Sequence, residues 1–252
     1  MDMGMGGFGG EGGEFDLFSW YTNIPPVSRI YFTSAFLTTS MCAMDLLNPY
    51  VLYYDVHLIF IEGQIWRLFS SFLFFGLFSV DFVFHMYFLV RHCRQLEDGD
   101  FRGKPSNFVL FIAFGVITIC SLAPWILKSH PFLGSALTFM MTYVWGRRNE
   151  DVRMTMLGLI SFTAPYLPWV MVCFNWIVGN SVRMSLMGIC VGHMYYFLEY
   201  VYPVVADVRG WRLKKIMVPP RWLRYICGER DANAIMQGGV MLRNDEPHLH
   251  VD

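Results

Sequence analysis

Apolar residues fall into six long runs, and the polar residues between them gather in a few short clusters. The runs predict membrane-spanning helices at 28–47, 69–90, 107–127, 131–148, 154–178 and 185–202. A helix needs about 20 mainly apolar residues to cross a hydrocarbon layer of about 30 Å. Asn48-Pro49 closes the first run and Arg91-His-Cys-Arg94 the second. Pro124 interrupts the third, and Pro165 and Pro168 break the fifth. The fourth ends at Trp145-Gly-Arg-Arg148 after an uncharged run of only about 16 residues, short for a span.

The stretches outside the runs predict the rest of the organisation. Residues 50–68 are too polar to span and too apolar for a solvated loop, so they read as an interfacial segment. Residues 1–13 hold seven glycines and no basic residue, a composition of disorder, and 15–21 read as a short amphipathic surface segment. No basic stretch precedes the first run, so that span is expected to act as an uncleaved signal-anchor. The chain divides into a Gly-rich start with its short amphipathic segment (1–22), a six-helix membrane domain (23–206) and a basic, turn-rich tail (207–252).

Composition agrees with this partition. Hydrophobic residues make up 55% of the chain and charged residues 15%, against about 25% charged in soluble domains, so a single water-soluble globule is excluded. The placement of charge orients the spans. Fifteen of the nineteen Lys and Arg fall in the loops after the second and fourth runs or in the tail. The exceptions are Arg29 near the N-terminal end, and Arg67, Lys128 and Arg183 on the opposite side. By the positive-inside rule both termini are cytosolic, and 50–68 is the first loop on the far side. The six cysteines show no CxxC and no paired spacing in a loop, so neither a disulfide framework nor a metal site is expected.

Candidate chemistry sits inside the spans. Gly188 and Gly192 are four apart on one face of the sixth, the spacing that lets two backbones approach closely in lipid. His193 follows directly. Asp81 and His85 are i and i+4 on the second span, placed either to bond across a helix contact or to line a polar groove. Asn175 and His193 are further candidates for such a groove. In the tail, Arg209, Arg212, Lys214, Lys215, Arg221 and Arg224 form a basic stretch with Trp211 and Trp222 between them. It follows a span directly, so anionic lipid, attracting about 1 kcal/mol per basic residue, is the expected partner rather than nucleic acid.

Several strings occur in order along the chain: Ile24-Pro-Pro-Val-Ser-Arg29, Gln64-Ile-Trp-Arg67, Phe72-Leu-Phe-Phe-Gly76, Phe101-Arg-Gly103, Tyr143-Val-Trp145 with Arg147-Arg-Asn149, Leu167-Pro-Trp169 and Gly188-Ile-Cys-Val-Gly-His193. Together they resemble the Derlin family, rhomboid-related pseudoproteases of the endoplasmic reticulum, over about residues 20–205. The resemblance implies an all-α, rhomboid-like bundle of six transmembrane helices with an interfacial first luminal loop. Its signatures map to Trp66-Arg67 and to Gly188 and Gly192. It implies a role in moving misfolded proteins out of the endoplasmic reticulum, with a membrane ubiquitin ligase complex and the cytosolic AAA unfoldase as partners, and an oligomer is expected. No cofactor is expected. Residues 237–252 do not match well the Gly-rich motif by which many Derlins bind the unfoldase.

Active rhomboids pair a serine in a Gly-x-Ser context with a histidine three residues before the first glycine of Gly-xxx-Gly. Here that place holds Ser185, and Gly134-Ser135-Ala136 puts alanine where the nucleophile would be. A hydroxyl without a neighbouring base is a poor nucleophile, so no catalysis is expected. The alternatives are a protease using Ser135 and His193, and a pore or transporter, for which no inverted repeat is visible. Two physical devices fit a non-catalytic role. The short fourth run and the proline-broken third and fifth would thin the bilayer by mismatch, and polar groups in the bundle would satisfy an extended client backbone.

Overall fold

Local sequence signals set most element boundaries in the computed structural model, which describes residues 17–127, 132–156, 160–211 and 216–228. A short α1 (Leu17–Thr22) leads to α2 (Pro26–Ala43), where Pro26 takes a first-turn position whose N–H would have no helical partner. The expected interfacial segment folds as a 3-10 turn (Pro49–Val51), α3 (Val56–Phe60) and the start of α4 (Trp66–Leu73). Asp55 caps α3, accepting from the N–H groups of His57 and Leu58 at 2.8 and 3.2 Å. Then come α5 (Val80–Gln95) with a π turn (Leu96–Asp100), α6 (Pro105–Ile126) and α7 (Gly134–Arg148).

The second half holds one small sheet. β1 (Arg153–Met156) pairs antiparallel with β2 (Ile160–Thr163), Arg153 opposite Thr163. A 3-10 turn (Ala164–Tyr166) opens α8 (Leu167–Ile177). Finally α9 (Val182–Tyr196), a π turn (Phe197–Val201) and α10 (Tyr202–Val208) run on without a gap, and α11 (Arg221–Ile226) lies in the tail.

Four expected spans need correction. The second is not one helix: the chain leaves helix after Leu73, passes Gly76 at φ 96°, and starts again where the Ser79 hydroxyl accepts from the Phe82 N–H at 3.1 Å. The fifth is helical only from Leu167, because Pro165 and Pro168 sit in first turns and start helices rather than interrupt one, while the residues before them pair as the hairpin. Pro124 lies in the last turn of α6 and leaves it intact to Ile126. The sixth runs past 202 to Val208, with the π turn just ahead of Pro203, where the missing N–H would break an ordinary α ladder.

The helical class stands, with the hairpin as its exception. Among the described residues, α6 alone is an unbroken helix both long and apolar enough to cross a bilayer, with a mean hydropathy of 2.3 over its most apolar window.

Packing places α7 at the centre, in contact with α4, α5, α6, α8 and α9, while α2 lies against α4 and α5. Every residue of α7 from Ala136 to Gly146 is buried. The periphery shows the reverse of a soluble pattern. In α2 the small residues Ser28, Ala35, Thr39 and Cys42 face inward, while Ile30, Phe36 and Leu37 face out. Ile117 and Trp125 of α6 and Trp176 and Ile177 of α8 are likewise exposed. Large apolar side chains outside and small ones at helix contacts are what a chain surrounded by hydrocarbon requires. The burial of α7 also changes the thinning expectation. This helix is about 22 Å long, but it meets protein rather than lipid, so its shortness cannot produce mismatch.

Candidate functional site

The seam between α7 and α9 is a contact of backbones. A Cβ on Gly188 would run into the carbonyl oxygen of Ala136 and lie 2.8 Å from the Cβ of Phe139. One turn on, a Cβ on Gly192 would meet the Met140 carbonyl oxygen and the Tyr143 Cβ, both at 3.1 Å. Gly134 and Gly146 do the same for the ends of α7, each backing onto a carbonyl, Phe72 at 2.7 Å and Ala164 at 2.6 Å. Glycine at four places is thus what lets the neighbours close around α7.

Ser185, where a rhomboid base would stand, is fully buried, and its Oγ accepts from the Asn175 Nδ2 at 3.1 Å. That bond fastens α9 to α8. His193 is exposed, and its Nδ1 is 2.7 Å from the Tyr143 hydroxyl. Ser135 lies eight residues before Tyr143 on the same helix, about 12 Å along its axis, whereas a general base must reach its proton across about 3 Å. The structure therefore pairs His193 with a tyrosine two turns from the serine.

Of the four groove candidates, two come together. His85 of α5 and Asn175 of α8 are both buried and face a void of about 10 Å³ walled by Phe84, Phe88, Met171 and Phe174. That space holds about one water, and the Phe84 and Phe174 rings pack 4.8 Å apart beside it, bridging α5 and α8. His193 sits elsewhere, with Tyr143. The side chain of Asp81 lies outside the described residues, so its pairing with His85 does too.

In the first loop Arg67 is a clip. It is buried, and its Nη1 donates to the carbonyls of Tyr50 and Tyr53 at 3.0 and 3.2 Å. Its Nε donates to the Gln64 Oε1 at 2.6 Å, and its guanidinium lies 4.6 Å from the Tyr53 ring centre. Trp66 points outward and is half-exposed. The Tyr54 hydroxyl donates to the Cys120 carbonyl at 2.8 Å, tying the loop to α6, and burial pushes this phenol up to about 12, so it remains a donor at neutral pH. Lysine cannot reproduce the planar fork of Arg67. Arg67→Lys should therefore raise hydrogen exchange across residues 50–65 while leaving α7 and α9 protected. Equal exchange in both proteins would remove the clip.

Sequence reasoning missed Glu97, one of several charges in the loop after the second apolar run. It is buried, and its carboxylate accepts from the Val27 N–H at 3.0 Å, the Ser28 N–H at 2.8 Å and the Ser28 Oγ at 2.7 Å. It also missed Arg148, which donates to Asp100 at 3.0 Å and lies 4.4 Å from the Tyr200 ring centre, joining both π turns at the end of α7. Neither pairing has a signal in local spacing. In the tail, Arg209 and Arg221 are exposed, and α11 turns Leu223 inward with Trp222 outward, Arg224 lying between. Arg212, Lys214 and Lys215 lie outside the described residues. Among the described residues no three His, Cys, Asp or Glu side chains converge as a metal site would require.

The Der1-like family model matches residues 24–214. Derlin-2.2 of Arabidopsis thaliana is 42% identical over 199 residues, covering 75% of this chain and 82% of that protein. A probable derlin-2 homolog of Dictyostelium discoideum is 37% identical over 195 residues, covering 75% and 77%. Derlin-1 of Oryza sativa subsp. japonica is 34% identical over 207 residues, covering 82% and 83%.

Proposed function

The chain belongs to the Derlin family, a membrane protein of the endoplasmic reticulum with a role in its degradation pathway, and we propose that it assists retrotranslocation without catalysis. The observation that carries this reading is the α5–α8 seam, where the buried His85 and Asn175 share one small void beside the packed rings of Phe84 and Phe174. Lipid leaves an extended backbone unsatisfied, at a cost of several kcal/mol per group. A seam that opens would offer a client these polar side chains instead. The Asn175–Ser185 bond and the Tyr143–His193 pair support the non-catalytic part, since neither is the serine-with-histidine pair of an active rhomboid.

Local thinning in this reading belongs to α8. Its 11 residues extend about 16 Å, their outer face is exposed at Trp169, Trp176 and Ile177, and the hairpin replaces the helix that would have completed the span. A short element on the lipid-facing side is where mismatch acts. In this reading both termini are cytosolic, the protein works as an oligomer with a membrane ubiquitin ligase complex, and the AAA unfoldase draws clients out on the cytosolic side.

The test is to lock the seam. A Phe84→Cys/Phe174→Cys protein should be cross-linked by a short bis(methanethiosulfonate) reagent, which forms a disulfide with each cysteine and releases methanesulfinate, in membranes of cells lacking their own Derlins. The expected result is that a misfolded membrane client then persists at least about twice as long, a barrier change of about 0.4 kcal/mol, and that reduction restores clearance. Each single-cysteine protein serves as control for the native thiols. Normal clearance with the seam fully cross-linked would overturn the proposal.

A further inference from the structure

A second cleft, unrelated to the α5–α8 seam, opens where α7 ends and α8 begins. Its volume is about 530 Å³, within the range of small-molecule sites. Tyr143 and Arg147 of α7, Glu150 and Asp151 of the following turn, and Tyr166 and Trp169 at the start of α8 line it. We propose that this cleft binds the zwitterionic headgroup of a membrane phospholipid, a phosphate joined to a quaternary ammonium.

The charges select that class. Arg147 is the cation of the lining, and its Nη1 lies 3.5 Å from the Glu150 carboxylate. Asp151 adds a second carboxylate, so Arg147, Glu150 and Asp151 together leave one negative charge on the wall. An anion alone would meet Arg147 but also both carboxylates. A cation alone would leave Arg147 to compete with it. A zwitterion answers both, its phosphate at the guanidinium and its ammonium at the carboxylates.

The aromatic residues specify the ammonium. A quaternary nitrogen has no hydrogen to donate, and proteins hold it on the faces of Trp and Tyr, at about 0.5–2 kcal/mol per contact. Tyr143, Tyr166 and Trp169 supply three such rings, the last two substantially exposed toward the opening. The last carbonyls of α7 add partial negative charge at the same end. The location fits as well: Arg147-Arg148 ends a helix of the bundle, the level at which headgroups lie, and amphipathic rings such as Trp169 favour that level. The inference rests on the membrane setting of the protein and on none of the client handling.

Native mass spectrometry of the full chain, purified in a neutral detergent and given equal amounts of phosphatidylcholine and phosphatidylglycerol with identical acyl chains, tests it. The first lipid retained should be phosphatidylcholine over phosphatidylglycerol by about fivefold, the equivalent of about one ring–ammonium contact. Trp169→Ala should bring the two lipids close to parity. Asp151→Asn, an exposed near-isosteric change that folding should tolerate, should do the same in part. Glycerophosphocholine tests the source of the headgroup: millimolar amounts should be needed to displace the lipid. Saturation by micromolar glycerophosphocholine would assign the site to a soluble compound and overturn the lipid proposal. Parity in the unmodified protein, or a preference untouched by both substitutions, would overturn it outright.

Discussion

Gly188→Ala should sharply lower the amount of folded protein, while Gly192→Ala should leave it near normal. Both changes gain about 1 kcal/mol of helix propensity, because glycine is the costlier residue in a helix interior. What separates them is how closely the new methyl group approaches a backbone carbonyl, Ala136 in one case and Met140 in the other. At position 188 it meets the backbone carbonyl of Ala136, which cannot rotate aside, and the Phe139 Cβ at 2.8 Å. Relief requires α9 to move as a body away from α7, opening the seam that carries both glycines and straining the Asn175–Ser185 bond one turn away. Overpacking a tight core costs about 1–3 kcal/mol and sometimes more, and a clash with backbone belongs at the upper end. At position 192 the nearest atoms stand at 3.1 Å, so a shift of a few tenths of an ångström suffices and the propensity gain offsets it. Abundance in cells and the thermal midpoint in detergent would measure both. Identical behaviour of the two variants would refute the backbone contact as the reason for Gly188.

The asymmetry between these glycines marks how far the sequence could be read. The i, i+4 spacing identified a face for close approach, but only the register of α7 against α9 says which glycine is indispensable. Elements whose boundaries depend on local chemistry were legible: α6 and α7 lie close to the apolar runs that predict them. The failures were also local in appearance and tertiary in cause. Pro165 and Pro168 suit a first turn as well as a break, and what decides between them is the hairpin that the preceding residues form. The break after Leu73 depends on Gly76 adopting φ 96°, one option among many for a glycine in an aromatic run.

The polar residues show the same limit. Asn175 and His193 were visible as polar groups at depth, but their partners, Ser185 and Tyr143, lie on neighbouring helices and no spacing within one segment reveals them. The consequence for mechanism is considerable. Of the candidates for one polar groove, His85 and Asn175 share the seam, while His193 belongs with Tyr143 near the cleft. A single aqueous path through all of them is not what the geometry offers.

Glu97→Ala should destabilise the bundle by about 2–5 kcal/mol, because it removes the acceptor from the donors that open α2. The start of α2 explains the size. Its N-cap is Pro25, which makes no side-chain cap, and Pro26 has no N–H, so Val27 and Ser28 carry the first free donors of the helix. Glu97 reaches them from the π turn after α5 and also accepts from the Ser28 hydroxyl. A carboxylate at a helix N-terminus gains from the helix dipole as well as from charge-assisted hydrogen bonds. Alanine leaves the two buried donors of Ser28 and the part-buried Val27 N–H without this acceptor, each costing about 1–3 kcal/mol where water cannot enter. Glutamine is not a neutral control. Its one amide oxygen still accepts, but its NH2 would face an N–H, so Glu97→Gln should fall between alanine and the native protein. Because Glu97 joins the start of α2 to the end of α5, its loss should expose α2 to proteolysis before α7 and α9 loosen. Thermal unfolding with limited proteolysis would resolve that order. Native stability in both variants would show that α2 finds its cap elsewhere.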